Sequence, residues 1–237
     1  MPNPYFSFKQ FTVYHDRCAM KVGADGVLIG AWADVSRARR VLDVGTGSGL
    51  IALMVAQRAP RALVTGIDID AGAVEQATAN VQASPWAHRI RVCRQDLRTM
   101  EVSKSECFDH IVTNPPYFEE DVFCPHAARN MARHTQSLSL DGLASCARTL
   151  LTNDGEFSLI LPARSADTFI GTATRHGFHL HRLTYVHTTP SAPAKRVLLA
   201  FSLTPCECEE HHLTIELARH VYSGEFTSLV KDFYLAL

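Results

Sequence analysis

Residues 40–59 read RVLDVGTGSGLIALMVAQRA, and this stretch decides the fold. RVLDV has the character of a buried strand, GTGSG is a loop of small residues, and LIALMVAQRA is apolar and helix-prone. A strand that turns through a glycine loop into a helix is the first half of a βαβ unit. We therefore expect a doubly wound sheet to start here.

The same alternation continues along the chain. Predicted strands cover residues 62–69, 89–97, 108–116 and 156–162, and predicted helices cover residues 71–83 and 138–151. Two last strands, at 179–186 and 195–203, follow each other without a helix, which predicts one antiparallel edge strand. The expected fold is α/β: a Rossmann-like sheet of seven mostly parallel strands with helices on both faces.

Composition narrows the class of protein. The 237 residues suit one domain, and 23 Lys and Arg against 24 Asp and Glu give a net charge of −1, so any nucleic acid must be bound through local patches. The longest apolar runs, residues 27–33 and 50–56, are far shorter than a membrane span, and the amino terminus lacks a signal sequence. Seven scattered cysteines indicate a reducing compartment. We predict a cytoplasmic protein.

Acidic residues recur where predicted strands end. Asp43 begins the glycine loop and suits an amine-bearing ligand better than a pyrophosphate, which it would repel. Asp68 ends the second strand, where a carboxylate binds both hydroxyls of a ribose, and Asp96 ends the third, where it is placed to accept from an adenine amino group. The candidate loop ligands are Gly45, Thr46, Gly47 and Gly49. The set predicts S-adenosylmethionine; the alternative is a tight turn followed by solvated acids.

The fourth predicted strand ends in Asn114, Pro115, Pro116 and Tyr117. The prolines fix the backbone, so the Pro115 carbonyl and the Asn114 side-chain oxygen form two rigid acceptors suited to a planar NH2 group. Tyr117 offers a face on which a base stacks, and Phe118 supports or clamps it. This turn predicts activation of an exocyclic or amide amine for methyl transfer, unless it merely terminates a strand.

These motifs, in this order, resemble the class I S-adenosylmethionine-dependent amino methyltransferases over residues 39–203. Residues 6–33, 84–86 and 232–235 add a closer resemblance, over nearly the whole chain, to the bacterial methyltransferases that modify N6 of adenine-37 in valine tRNA. The resemblance implies one methyltransferase domain: a closing segment at 1–35, a catalytic core at 36–205 and an extension at 206–237. It also implies that Lys21 binds the cofactor carboxylate or an RNA phosphate.

Other readings remain open from the sequence. The same chemistry could act on ribosomal RNA, DNA or a release-factor glutamine, or the chain could be a non-catalytic RNA-binding module. Arg129 and Arg133 are candidates for gripping RNA phosphates, or else lie on a solvated helix face. For Arg98 we expect no site role. Cys206, Cys208, His211 and His212 lack zinc-site spacing, so no metal is expected, nor any membrane partner; a monomer is expected.

Overall fold

The strand Arg40–Val44 (β3) lies at the centre of the protein. In the computed structural model, which describes residues 3–18, 21–116 and 138–236, this strand pairs in parallel with a neighbour on each side. Val41 and Leu42 are both fully buried, although successive side chains leave opposite faces of a strand. Burial on both faces is typical of a parallel strand with helices above and below it.

Twelve strands and six α-helices make up the described residues. The strands are β1 Tyr5–Ser7, β2 Thr12–Tyr14, β3 Arg40–Val44, β4 Leu63–Asp68, β5 Ile90–Arg94, β6 Phe108–Thr113, β7 Leu151–Pro162, β8 His179–His187, β9 Ala194–Ser202, β10 Glu209–Thr214, β11 Glu216–Ala218 and β12 Val221–Tyr222. The helices are α1 Ala24–Trp32, α2 Leu50–Arg58, α3 Ala71–Gln82, α4 Leu140–Leu150, α5 Ala166–Arg175 and α6 Gly224–Val230.

The main sheet has the strand order β10-β8-β9-β7-β6-β3-β4-β5 among the residues described. All of its pairings are parallel except those of β9, which runs antiparallel to both β7 and β8. The predicted mostly parallel α/β sheet is therefore confirmed. Two details differ: there are eight strands instead of seven, and the antiparallel strand lies third from one edge instead of at the edge.

Strand β10 explains the additional edge. It comes from the carboxy-terminal extension, whose polar start at residues 206–212 is typical of a loop. Four of its six residues are exposed, and only Leu213 is buried, because an edge strand with one open face needs few apolar side chains. Hydrogen bonding to β8, not apolar patterning, places this segment in the sheet.

Helices cover both faces, as predicted. On one face of the sheet, helices α1, α2 and α6 pack over a core that includes Leu53, Val112 and Phe226. On the other face, helices α4 and α5 pack over a core that includes Phe157 and Phe169. Among the described residues no helix is long and apolar enough to cross a membrane.

The two ends of the chain pack together on the first of these faces. The rings of Phe8 and Tyr234 stack with centroids 6.0 Å apart, and the Phe11 ring contacts the edge of Trp86 at 5.7 Å. Phe8 and Phe11 are buried in the same core as α1 and α2. The amino-terminal hairpin β1–β2 is thus attached to the core of the sheet.

Asn80 on α3 joins this hairpin to the glycine loop. Its side-chain oxygen accepts from the backbone N–H of Tyr14 at 3.0 Å, and its amide donates to the carbonyls of Tyr14 and Ser48 at 2.8 Å each. The side chain is almost wholly buried, so water cannot replace these bonds.

We expect Asn80→Ala to lower the free energy of unfolding by about 1–3 kcal/mol, because three backbone groups lose their buried partner. Urea unfolding measures the change. Glu75→Ala, at an exposed position on the same helix, is the control and should stay within about 0.5 kcal/mol of the parent protein. Equal losses for the two variants would contradict the role given to Asn80.

Candidate active site

A cavity of about 340 Å³ lies at the carboxyl ends of β3, β4, β5 and β6. Ligands of open α/β sheets bind at this edge, and the volume is in the range of about 300–1,000 Å³ that is usual for small-molecule sites. Apolar side chains form much of the wall, as needed to hold a flat ring: Val44, Ile67, Ile69, Leu97, Leu138 and Leu143.

The cavity brings together seven residues that the sequence singled out: Gly45, Gly47, Asp68, Asp96, Asn114, Pro115 and Pro116. They come from the ends of four different strands, so only the fold makes them neighbours. Four other candidates do not line the cavity: Asp43, Thr46, Gly49 and Lys21. Tyr117, Phe118, Arg129 and Arg133 lie outside the described residues.

Asp43 lies underneath the glycine loop. It is completely buried, and its Oδ2 accepts hydrogen bonds from the Thr46 hydroxyl at 2.6 Å and the Ala52 backbone N–H at 3.1 Å. Its Oδ1 is buried without a hydrogen-bond partner. Burial raises the pKa of Asp43 to about 7, and the two hydrogen bonds oppose that rise only in part. The carboxyl group therefore joins strand, loop and helix α2.

Asp68 closes the other side of the loop. One carboxylate oxygen accepts from the Gly47 N–H and the other from the Asp70 N–H, both at 3.0 Å. A carboxylate has about four acceptor positions, so two remain after these bonds. Because Asp68 lines the cavity, those positions suit the paired hydroxyls of a ribose.

Arg98 holds the carboxylate of Asp96. Its Nη2 donates to Oδ2 at 2.6 Å and its Nε donates to Oδ1 at 3.0 Å, so the pair is bidentate. These bonds hold the pKa of Asp96 below its ordinary value. Asp96 is thus an ionised acceptor with a fixed orientation at the cavity wall, as an amino donor on a base requires.

Gly45 lines the cavity with its backbone. Its φ is +70°, and a Cβ built there would meet no atom within 4 Å, so a side chain would project into the cavity. A second glycine, Gly66 on β4, makes room behind the loop: a Cβ there would come within 2.8 Å of the Thr46 hydroxyl oxygen. Both positions therefore favour glycine for the shape of the site.

The Asn-Pro-Pro turn forms the wall opposite the acids. It follows Thr113, whose hydroxyl donates to the Val44 carbonyl at 2.7 Å and so fixes the end of β6 against β3. Asn114 is half-buried, Pro115 is buried and Pro116 is exposed at the mouth. An acceptor-bearing turn thus shares one cavity with the carboxylates that suit a nucleoside.

Sequence reasoning missed several lining residues, chiefly Cys18, Asp70, Gln95 and Arg98. We expected no site role for Arg98, and the structure places it in the turn after β5 beside Asp96. The spacing Asp-x-Arg was the available signal. Cys18 reaches the cavity although the amino-terminal segment precedes the first core strand. Burial and nearby carboxylates raise the pKa of its thiol to about 11, so it lines the cavity as a neutral group.

Comparison with known proteins identifies the family of this chain. The family model described as "Methyltransferase small domain" matches residues 26–161. A tRNA1(Val) (adenine(37)-N6)-methyltransferase of Phocaeicola vulgatus is 57% identical over 99% of both chains. The chain belongs to this methyltransferase family. Enzymes of the same description from Parabacteroides distasonis (48% identical, 100% of both chains) and Yersinia pestis (46%, 97% of this chain and 93% of the other) agree.

Solved structures show the same fold. A predicted O-methyltransferase from Agrobacterium tumefaciens superimposes with a TM-score of 0.69 at 21% identity, covering 88% of this chain and 96% of that one. A glycopeptide N-methyltransferase complexed with S-adenosyl-L-methionine gives a TM-score of 0.56 at 14% identity, over 78% and 90% of the two chains. The resemblance inferred from the sequence motifs is therefore confirmed at the level of family and fold.

Asp43 makes stability depend on pH. An unfolded aspartate has a pKa near 3.8, whereas the folded group titrates at about 7, so between these values the folded protein binds a proton that the unfolded chain does not. This contribution to the free energy of unfolding therefore falls as pH rises from about 4 to about 7. We expect Asp43→Asn, which keeps an acceptor for Thr46 and Ala52, to gain stability relative to the parent over that window.

Urea unfolding at several pH values tests this expectation. Each pKa unit is worth about 1.4 kcal/mol, so the gain should reach a few kcal/mol by pH 8. Asp167→Asn, at an exposed position, is the control and should run parallel to the parent. If the free energy of unfolding of Asp43→Asn also follows that of the parent protein at every pH, the raised pKa of Asp43 is refuted.

Proposed function

We propose that this chain transfers the methyl group of S-adenosylmethionine to the exocyclic N6 amine of adenine-37 in valine tRNA, the reaction that its relatives' names describe. One observation carries the proposal: the carboxylates of Asp68 and Asp96, which suit a nucleoside, line the same cavity as the turn Asn114–Pro116. A cofactor site alone would fit any methyltransferase. The turn in the same cavity selects amine chemistry.

The residues present fit the cofactor. Asp68 retains acceptor positions for the ribose hydroxyls, Asp96 is an ionised acceptor for the adenine amino group, and Gly45 leaves room for close approach. The apolar wall accommodates the adenine ring. When bound, the cofactor supplies an electrophilic methyl group on a positively charged sulfur. Lys21 is proposed to bind the carboxylate of the cofactor or an RNA phosphate. It is exposed and lies four residues before Asp25 of helix α1.

The acceptor turn acts on the target amine. The Asn114 side-chain oxygen and the Pro115 carbonyl are proposed to accept one hydrogen each from the NH2 group. An amine held in this way is more pyramidal, and its lone pair is available to attack the methyl carbon in line while the bond from that carbon to sulfur breaks. The nitrogen then releases one proton after the transfer. Acceptors that are already fixed before reaction stabilise charge that develops in the transition state. Stacking on Tyr117 and Phe118, and phosphate contacts from Arg129 and Arg133, belong to the proposal as well.

The chain is proposed to act as one domain, with residues 1–35 closing over the site, 36–205 forming the core and 206–237 extending it. Two contacts support this proposal. Phe8 near the amino terminus packs on Tyr234 near the carboxy terminus, and Cys18 of the amino-terminal segment lines the cavity. The substrate implies activity in the cytoplasm, and the monomeric state stays a prediction. No cluster of three or more metal-ligating side chains occurs in the described residues.

We expect Asn114→Ala to lower kcat at least 100-fold, because the amine loses one fixed acceptor, while the Kd for S-adenosylmethionine changes less than about 3-fold. Single-turnover methylation and isothermal titration measure the two quantities. Asn114→Asp retains an acceptor oxygen and should recover part of the rate. A loss of cofactor binding equal to the loss of rate would instead make Asn114 a cofactor ligand.

The substrate is tested with labelled S-adenosylmethionine, purified protein and two valine tRNA transcripts that differ only in A37 or G37. We expect N6-methyladenosine in the first transcript and no label in the second. Label in ribosomal RNA, DNA or release factor, with neither transcript methylated, would keep the amine chemistry and overturn the substrate. Cofactor binding without transfer to any of these acceptors would favour a non-catalytic RNA-binding module.

A further inference from the structure

The carboxyl edge of the sheet continues past the cavity. Beyond Asn114, in the part of the chain that the structure describes, this edge is formed by three segments: residues 163–165 after β7, residues 188–196 from the end of β8 into the start of β9, and residues 216–222 after β10. The strand register places these three segments at the same height along the sheet. Arg196 of β9 pairs with Pro162 of β7 and with Val186 of β8, and Val186 pairs with Leu213 of β10. The edge is therefore one surface that runs from the cofactor cavity to the last strand.

The charge of this edge changes sign at Asn114. On the cavity side, residues 68–70 and 94–98 carry three acids and two arginines, of which Arg98 is bound to Asp96. On the other side, the three segments carry four basic residues and one acid. One of the four, Arg196, is paired with Asp25 at 2.8 Å. Arg164 takes part in an interaction of its own within the protein. Lys195 and Arg219 are exposed, and we name these two residues the basic rim.

The hairpin β11–β12 supplies the outer end of this rim. Backbone bonds from Ile215 to the His187 carbonyl and from Glu216 to the Thr188 carbonyl, at 2.9 and 3.0 Å, hold it against the carboxyl end of β8. Its turn contains Arg219. Exposed apolar side chains stand beside the arginine: Leu217, Val221 and Tyr222, at 56%, 52% and 39% exposure. Apolar groups left exposed around a cation indicate a contact surface, and aromatic faces suit unpaired bases.

We propose that the basic rim binds the phosphates of the tRNA on either side of the target adenine. This inference rests on the proposed function and adds where the RNA lies. Neighbouring strands are about 4.8 Å apart, so Lys195 on β9 is about 10 Å and the strand carrying the hairpin about 19 Å from β6. The rim thus contacts nucleotides beyond the one in the cavity. The acids on the cavity side repel phosphates and leave this direction for the RNA.

The double variant Lys195→Gln, Arg219→Gln tests the rim. We expect the KM for valine tRNA to rise at least 10-fold while kcat and the Kd for S-adenosylmethionine stay within about 2-fold. The slope of log Kd for tRNA against log salt should fall by about two, because two phosphate contacts are lost. Arg37→Gln, Lys104→Gln removes the same charge from exposed positions before β3 and β6, at the opposite edge, and should leave all four quantities unchanged.

The outcomes separate the rim from the reaction itself. If the parent methylates tRNA, and the rim and control variants have the same KM and the same salt slope, then the proposed binding of phosphates by the rim is wrong and the proposed function stands. If the parent methylates no tRNA, both are overturned. Should the double variant unfold, Arg219→Gln alone, on the exposed hairpin, is expected to raise KM about 3-fold and lower the salt slope by about one; an unchanged KM would refute the rim.

Discussion

The buried carboxyl group of Asp43 is the constraint on which the site depends. It lies one residue before the end of the central strand, accepts from Thr46 in the glycine loop and accepts from the backbone of Ala52 in the first turn of α2. A loop of small residues would otherwise have many conformations open to it, and the Asp43 bonds select one of them. Gly66 on the neighbouring strand contributes by leaving room for the Thr46 side chain. The bonds of Asp43 beneath the glycine loop therefore fix the shape of the cavity wall that the loop forms.

This arrangement divides the work among the acids. Asp43 is buried and structural, whereas Asp68 and Asp96 line the cavity. Each of the latter two has part of its carboxylate engaged by the protein, Asp68 by backbone N–H groups and Asp96 by Arg98. Partial engagement fixes direction and leaves acceptor positions for a ligand. Three aspartates at strand ends thus have three different environments, which their similar positions in the sequence pattern do not distinguish.

The order of strands and helices was predictable because buried parallel strands and amphipathic helices leave strong patterns. The ends of β3, β4, β5 and β6 followed from that order, and with them the seven candidates that line the cavity. Three features left no such pattern. Strand β10 is polar because it is an edge, Asp43 faces inward because of how the loop folds back, and Arg98 reaches the site from a turn where strand periodicity no longer applies. Each depends on contacts between distant segments.

The change of charge along the carboxyl edge bears on which adenines the protein can accept. Asn114 lies where acidic loops give way to basic segments along the edge. If the basic rim binds the phosphates, a nucleotide in the site has its base in the cavity and its phosphates toward the cations. In a duplex the base is stacked and paired, and bringing it to Asn114 would also bring phosphates toward Asp68 and Asp70. An unpaired base in a loop turns away from its backbone at little cost. On this proposal the electrostatics of the edge select an adenine in a loop even before any base is read.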